Sequence, residues 1–368
     1  LRTRFAVLLL AVVAAVLPAR AANAAAYILV DVRSGAVLAA DNAHQVWYPA
    51  SLAKLMTAHL AFRALEAGAL RLTSPVVISA NAAAEPPSKM GYRAGTILTV
   101  DNALKMMLVK SANDIAMAVG ETIGGTEAGF VALMNAEARR LGMTSTEFRN
   151  PNGLPQAGQV TTARDLAVLA RAILLDHPQY GDYFGYTAIL AGGTVLPSQN
   201  DLLERYPGAT GMKTGFICSS GYNLVASAER AGQGLIAVVL GATSSEERAR
   251  LAAGLLDQGF LARGAFSQAV DTYYGPSPSP TPADMRSVVC AAGLPADGNI
   301  EAGSDDPNSS LGPRVAIMQP VQVQTGGADA EAPAIAFGVP LPRPRPAAPL
   351  GYIPVGPMQL GPGFGRGP

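Results

Sequence analysis

At 368 residues the chain is long enough for one large or two ordinary domains, and with 49% of its residues apolar it can fill a sizeable core. Its 27 basic and 27 acidic side chains cancel, and the basic ones form no dense cluster, which excludes the electrostatic footprint of a nucleic-acid-binding protein. The three histidines, His44, His59 and His177, lack metal-ligand spacing and the two cysteines have no histidine neighbours, so neither a metal nor another cofactor is expected.

The chain opens as a targeting signal. Arg2 and Arg4 precede an apolar run over 5–17, followed by Pro18-Ala19-Arg20-Ala21. Thirteen apolar residues are too few to span a bilayer, and the small-x-small pattern fits cleavage after Ala21 or Ala24. The expectation is a signal peptide over 1–24 and an exported protein of the periplasm or cell envelope; an uncleaved anchor is the alternative.

Residues 27–32 read as a strand, 33–35 as a turn and 36–39 as the hairpin partner. Leu52, Leu55, Met56, His59, Leu60 and Phe62 give the three-and-four spacing of a helix over 51–65. The stretch 104–141 is rich in helix formers and broken near Ser111 and Gly124-Gly125, which predicts a helical subdomain. A further helix is expected over 161–175, capped by Thr161 or Thr162 with Asp165 in the capping-box position. Short β-type runs follow at 213–217, 222–228 and 235–240, and a helix over 245–260 closes the unit. Strand, helices, then strands joined by tight turns imply an α/β fold: an antiparallel sheet flanked by helices, with an all-helical lobe inserted between sheet segments, over 25–274.

Composition shifts near Tyr274. Residues 276–368 hold 18 of the 28 prolines and no lysine, so 275–368 is expected to be a proline-rich, largely disordered tail. The patch 315–323 is the one stretch in it with the character of a short strand. The terminal Gly-Pro-Gly-Phe-Gly-Arg-Gly-Pro is unsuited to a membrane-lying helix, which leaves membrane attachment doubtful. Export would place Cys218 and Cys290 in an oxidising compartment, where they are expected to pair and close a loop of about seventy residues. Two unpaired thiols are the alternative.

Three short motifs carry the chemistry, in this order: Ser51-Leu52-Ala53-Lys54, Ser111-Ala112-Asn113 and Lys213-Thr214-Gly215. Each is weak alone, because serine starts many helices and a lysine three residues on is usually solvated. Yet Ser51 and Lys54 form the chain's only S-x-x-K, and Lys54 is one of five lysines against 22 arginines. A three-residue step on a helix stacks the two side chains, so a neutral Lys54 amine can take the Ser51 proton and turn a poor nucleophile into a good one. Partial burial and a second cation such as Lys213 would both favour the neutral amine.

With these motifs the chain resembles the penicillin-binding serine D,D-peptidases and, more closely, the low-molecular-mass D-alanyl-D-alanine carboxypeptidases. The resemblance also rests on Tyr48-Pro49-Ala50 ahead of Ser51, on Asn150-Pro151-Asn152-Gly153-Leu154, and on Tyr206-Pro207-Gly208 with Gly211-Met212 ahead of Lys213. It implies that Ser51 attacks the D-Ala–D-Ala amide of peptidoglycan stem peptides, with Lys54 as general base and Ser111 relaying a proton to the leaving D-alanine. Asn113 would hold the substrate amide, Lys213 and Thr214 its terminal carboxylate, and Gly215 would keep the strand open. The oxyanion would lie at the N–H groups of Ser51 and Phe216. β-Lactams, which imitate the substrate, are the implied inhibitors.

Other readings use the same residues. A serine β-lactamase is one, although alanine stands at 112 where the commonest of those enzymes have aspartate, and no convincing E-x-x-L-N segment lies between Asn113 and Lys213. A D,D-endopeptidase or transpeptidase would share the acyl-enzyme. A non-catalytic envelope-binding protein would leave Ser51 free to vary.

Overall fold

The computed structural model describes residues 26–262, 268–273, 275, 280–290, 311–315 and 319–329. The expected signal peptide and much of the proline-rich segment lie outside the described residues. Strands β1 (Ala26–Asp31) and β2 (Val37–Asp41) form the opening hairpin, and a 3-10 turn over Ala50–Leu52 leads into α1 (Ala53–Glu66). Strands β3 (Pro75–Val77) and β4 (Ile97–Thr99) flank the short α2 (Ala80–Ala84). Helices α3 (Val100–Val109), α4 (Asn113–Gly124) and α5 (Glu127–Leu141) follow, broken where the sequence predicts, and then α6 (Ala163–Asp176). A hairpin of β5 (Ala188–Ala191) and β6 (Thr194–Pro197) and the one-turn α7 (Leu202–Arg205) lead back to the sheet strands β7 (Ala209–Ile217), β8 (Gly221–Arg230) and β9 (Gln233–Ala242). Helix α8 (Ser245–Leu261) closes the unit; α9 (Arg286–Val289) and β10 (Val321–Val323) come from the proline-rich segment.

The main sheet is antiparallel, in the order β2-β1-β9-β8-β7. Residues 235–240 read as an unbroken apolar run because β9 is buried on both faces. Ile236, Val238 and Leu240 join Ile28 and Val30 of β1 in the core shared with α1 and α6. Leu235, Ala237 and Val239 point the other way, against Ala249, Ala252 and Leu256 of α8. The sheet thus has a helical layer on each face, and the helical lobe occupies the long crossover from β2 to β7.

Local signals behave as their chemistry dictates. Thr162 is the cap of α6, its hydroxyl accepting from the N–H of Asp165 at 3.1 Å. The Asp165 carboxylate accepts from the N–H of Ser145 (2.9 Å) and the hydroxyl of Thr146 (2.7 Å), so it braces the loop ahead of the helix.

The described parts of the proline-rich segment are not a free linker. β10 pairs in parallel with β5, setting Val321 opposite Ile189 and Val323 opposite Ala191, and Val323 is buried. Gly326 N–H donates to the Ile97 carbonyl and Asp329 N–H to that of Thr73. Met285 is buried and donates its N–H to the Ser219 carbonyl. Cys218 and Cys290 are disulfide-bonded with their α-carbons 5.7 Å apart. Proline excludes strand pairing only where it stands, and Val321-Gln322-Val323 contains none. Among the described residues, no helix is long and apolar enough to cross a membrane.

Candidate active site

Ser51 lies in the 3-10 turn, not in α1 itself, and Lys54 occupies the first turn of the helix that follows. The turn is pinned from the sheet side. Trp47 exchanges backbone hydrogen bonds with Thr161 and donates its indole N–H to the Ser220 carbonyl at 2.8 Å. Asn223 of β8 donates its amide to the Tyr48 carbonyl and accepts from Gly241 N–H. The nucleophile candidate is therefore seated by groups on the rigid sheet.

Two glycines allow backbone to approach backbone here. A β-carbon on Gly153, whose φ is +87°, would fall 1.8 Å from the Ala50 carbonyl oxygen. One on Gly215 would fall 3.1 Å from the Ser51 nitrogen, so β7 lies directly alongside the Ser51 turn. β7 is also the last strand of the sheet, with the Ser51 turn beside it.

The side chains converge on Lys54. Its Nζ lies 2.9 Å from Ser51 Oγ and donates to Asn113 Oδ1 at 2.8 Å and to the Asn152 carbonyl at 2.7 Å. Lys54 is 0% exposed and Ser51 5%. Asn113 is the first residue of α4, and its amide N–H donates to the Pro86 carbonyl at 3.0 Å. Ser111 is buried two residues before it, with φ +63°, at the kink between α3 and α4. The neighbouring Asp114 carboxylate accepts from the N–H groups of Met90 and Gly91, and Asn113 N–H donates to the Ser88 carbonyl. The loop over 85–91 is thereby tied to the Ser111–Asn113 segment.

Lys213 and Thr214 lie buried in β7, with Lys213 Nζ donating to the Thr214 carbonyl at 2.9 Å. Phe216 packs on Tyr222 with ring centroids 4.4 Å apart. The disulfide holds the end of this strand, two residues beyond Phe216. The structure thus brings Ser51, Lys54 and Asn113 into direct contact and lays the Lys213-Thr214-Gly215 strand beside them.

The sequence assigns no role to two members of the cluster: Asn152, which lies in the 150–154 segment, and Glu85, which lies in no motif. Asn152 supplies a backbone carbonyl to Lys54, while Thr57 Oγ1 donates to the adjacent Pro151 carbonyl at 2.7 Å. Glu85 accepts from Asn152 Nδ2 at 3.0 Å. Burial pushes the Glu85 carboxyl above its ordinary range, the Asn152 hydrogen bond and the Lys54 charge opposing and Glu127 and Asp114 reinforcing it. Among the described residues no group of histidine, cysteine or acidic side chains could hold a metal ion.

Residues 12–244 match the family model described as D-alanyl-D-alanine carboxypeptidase. The chain is 36% identical to D-alanyl-D-alanine carboxypeptidase DacC of Escherichia coli over 245 residues, covering 65% of this chain and 61% of that one. It is 35% identical over 238 residues to DacF of Bacillus subtilis, covering 63% and 61%. It therefore spans about three fifths of the length of these relatives. Among solved structures, penicillin-binding protein 5 of Haemophilus influenzae aligns with a TM-score of 0.62 at 34% identity, covering 65% of this chain and 71% of that one. Penicillin-binding protein D2 of Listeria monocytogenes in its cefotaxime-bound form aligns with a TM-score of 0.58 at 32% identity, covering 64% and 96%. Motif order, the geometry around Lys54 and the extent of the match agree: the chain belongs to the D-alanyl-D-alanine carboxypeptidase family, peptidase family S11.

Proposed function

We propose that the protein is a serine D-alanyl-D-alanine carboxypeptidase that removes the terminal D-alanine from peptidoglycan stem peptides through an acyl-enzyme on Ser51. The observation that carries this reading is the set of contacts around Lys54. A neutral amine has two N–H donors and one lone pair. Asn113 Oδ1 and the Asn152 carbonyl can accept both donors, which leaves the lone pair for the Ser51 hydroxyl 2.9 Å away. Complete burial of Lys54 disfavours its ammonium form and supports this arrangement.

As Ser51 Oγ attacks the carbonyl carbon, Lys54 takes its proton. Negative charge gathers on the carbonyl oxygen, which the N–H groups of Ser51 and Phe216 receive, on the adjacent turn and β7. The C–N bond then breaks, with the proton delivered to the leaving D-alanine nitrogen through Ser111. Water enters next: Lys54 accepts a proton from it, the ester to Ser51 is cleaved, and the serine hydroxyl is restored. Lys213 and Thr214 engage the terminal carboxylate, while the side of β7 away from β8 accepts the peptide as an added strand. A β-lactam would acylate Ser51 by the same attack. The arginine-flanked apolar run at the amino end supports action outside the cytoplasm, in the cell envelope, after cleavage near Ala21 or Ala24.

The test is D-alanine release from a peptide ending in D-Ala-D-Ala. The wild type is expected to release it and Ser51→Ala to release none, with an unchanged circular-dichroism spectrum. Equal release by the variant would overturn the assignment.

A further inference from the structure

Two asparagines bracket Lys54, and both reach the same dipeptide. Asn113 accepts from Lys54 through Oδ1 and donates Nδ2 to the Pro86 carbonyl. Asn152 accepts from Lys54 through its backbone carbonyl and donates Nδ2 to Glu85 Oε2. The side-chain oxygen of Asn152 in turn accepts from Leu154 N–H at 3.0 Å, so both ends of its amide are held. Lys54 is thus joined on two sides, each through one asparagine, to Glu85-Pro86 at the end of α2. Glu85 is the acidic member of this arrangement, half-buried and close enough to Lys54 for their charges to interact.

We propose that Glu85 is a positioning residue for the Ser51–Lys54 pair: through Asn152 it fixes the carbonyl that holds the amine, and its negative charge retains a proton on Lys54 until the pH rises. The inference rests on Lys54 acting as the base. Its physical content is Coulomb's law in a partly dehydrated site, where a carboxylate stabilises a neighbouring ammonium and so opposes its loss of a proton. The charged groups facing Glu85 come from three elements: Lys54 of α1, Asp114 of α4 and Glu127 of α5. Burial raises the Glu85 carboxyl and the two acids reinforce it, against the Asn152 hydrogen bond and the Lys54 charge, and protonation of Glu85 would release its hold on the Lys54 proton.

Two separable effects follow. Glu85→Gln keeps an acceptor for Asn152 Nδ2 and removes the charge. It is expected to move the acid limb of the acylation rate against pH downward by about 0.5–1 pH unit, the effect of one partly solvated charge, with the plateau nearly unchanged. At a pH on that limb this is roughly a three- to tenfold faster acylation. Glu85→Asp keeps the charge and shortens the reach, so its acid limb should stay with the wild type while its plateau falls.

The experiment measures acylation by a fluorescent penicillin from pH 4.5 to 9 for the full chain, Glu85→Gln and Glu85→Asp, with the adduct mapped to Ser51 in each. A downward shift in Glu85→Gln alone supports the proposal. Acid limbs that superimpose in all three overturn it, as does an equal shift in both variants, since a merely structural residue would not separate charge from reach. Should Glu85→Gln fail to fold, a downward shift of the Glu85→Asp acid limb, in a variant that keeps the charge, would by itself overturn the proposal, and a limb that stays with the wild type while the plateau falls would support it. A wild type that forms no adduct at Ser51 is a different failure, of the functional reading itself.

Discussion

Helix α1 carries two buried polar clusters, one at each end, and they are built on opposite principles. At its start Lys54 Nζ contacts a hydroxyl, an amide and a backbone carbonyl, with the half-buried Glu85 carboxylate one asparagine away. One to three turns later, His59, Arg63 and Glu66 belong to a network of opposed charges. Glu137 of α5 receives His59 Nε2 at 2.7 Å, Arg140 at 2.6 Å and a close contact from Arg63. His59 Nδ1 lies 3.0 Å from His177 Nε2, and His177 Nδ1 lies 2.7 Å from Glu66, which Gln179 also reaches. Contacts at hydrogen-bonding distance thus run without a break from Glu137 to Glu66 through the two imidazoles.

Under the proposed function, the difference separates a structural cluster from a reactive one. Burial alone would raise the Glu137 carboxyl, yet Arg140, His59 and Arg63 together hold it at about 2, and a group so fully compensated has no reason to exchange protons near neutrality. Burial pushes the His59 ring below its ordinary value, against the pull of Glu137. The polar contacts of Lys54 are to a hydroxyl, an amide and a backbone carbonyl, and under the proposed function it is the group on this helix that exchanges a proton. On that reading, one helix joins a clamp to a reactive centre.

The contrast can be broken by exchanging the expected phenotypes. Lys54→Ala should slow β-lactam acylation by about 10²–10⁴-fold, the range for loss of a positioned general base, with little change in the unfolding midpoint. A near-wild-type rate would return Lys54 to a structural role. Glu137→Ala should do the reverse. It leaves Arg63 and Arg140 without their common partner and is expected to cost about 3–5 kcal/mol in chemical denaturation, while the protein that remains folded acylates at close to the wild-type rate. A loss of acylation in folded Glu137→Ala would show that the two ends of α1 are coupled.

Reducing the Cys218–Cys290 bond tests the sheet side of the site. The bond closes a separation of 72 residues, for which chain entropy allows a stabilisation of up to about 4 kcal/mol. Reduction, or Cys290→Ser, should lower the denaturation midpoint and leave the acylation rate within a few-fold of the wild type.

The smallest effect is in the acid limb of stability. Because the Glu137 carboxyl is held below its ordinary 4.5, at about 2, its contribution is present in full above pH 4.5 and drains away as the pH falls from there towards 2. The stability difference between wild type and Glu137→Gln should therefore narrow over that window. A constant difference would mean that the carboxylate's charge is not what stabilises.

The contiguous parts of the site were legible in the sequence. Ser51 and Lys54 lie one helical step apart, Ser111 and Asn113 flank a break between helix formers, and Lys213-Thr214-Gly215 opens a strand run. The major sheet strands and the cap at Thr162 follow from local periodicity and side-chain chemistry in the same way. Contacts that depend on distant pairing were not legible. Glu85 meets Asn152 across 67 positions and Pro86 meets Asn113 across 27, and neither residue type announces its partner. The β5–β6 hairpin is short and one of its strands is mostly exposed, so it lacks a clear two-residue alternation. Its pairing with β10 was masked by proline density, which describes the segment on average and not the three residues that pair.

The central claim is that Ser51 is the nucleophile, and the most direct test is mass spectrometry of the intact protein and its peptides after exposure to a penicillin. The account predicts one adduct, equal in mass to the whole antibiotic, on the peptide containing Ser51. It also predicts no adduct in Ser51→Ala. An adduct on any other residue, or an unmodified Ser51 peptide in a protein that still releases D-alanine, would contradict it.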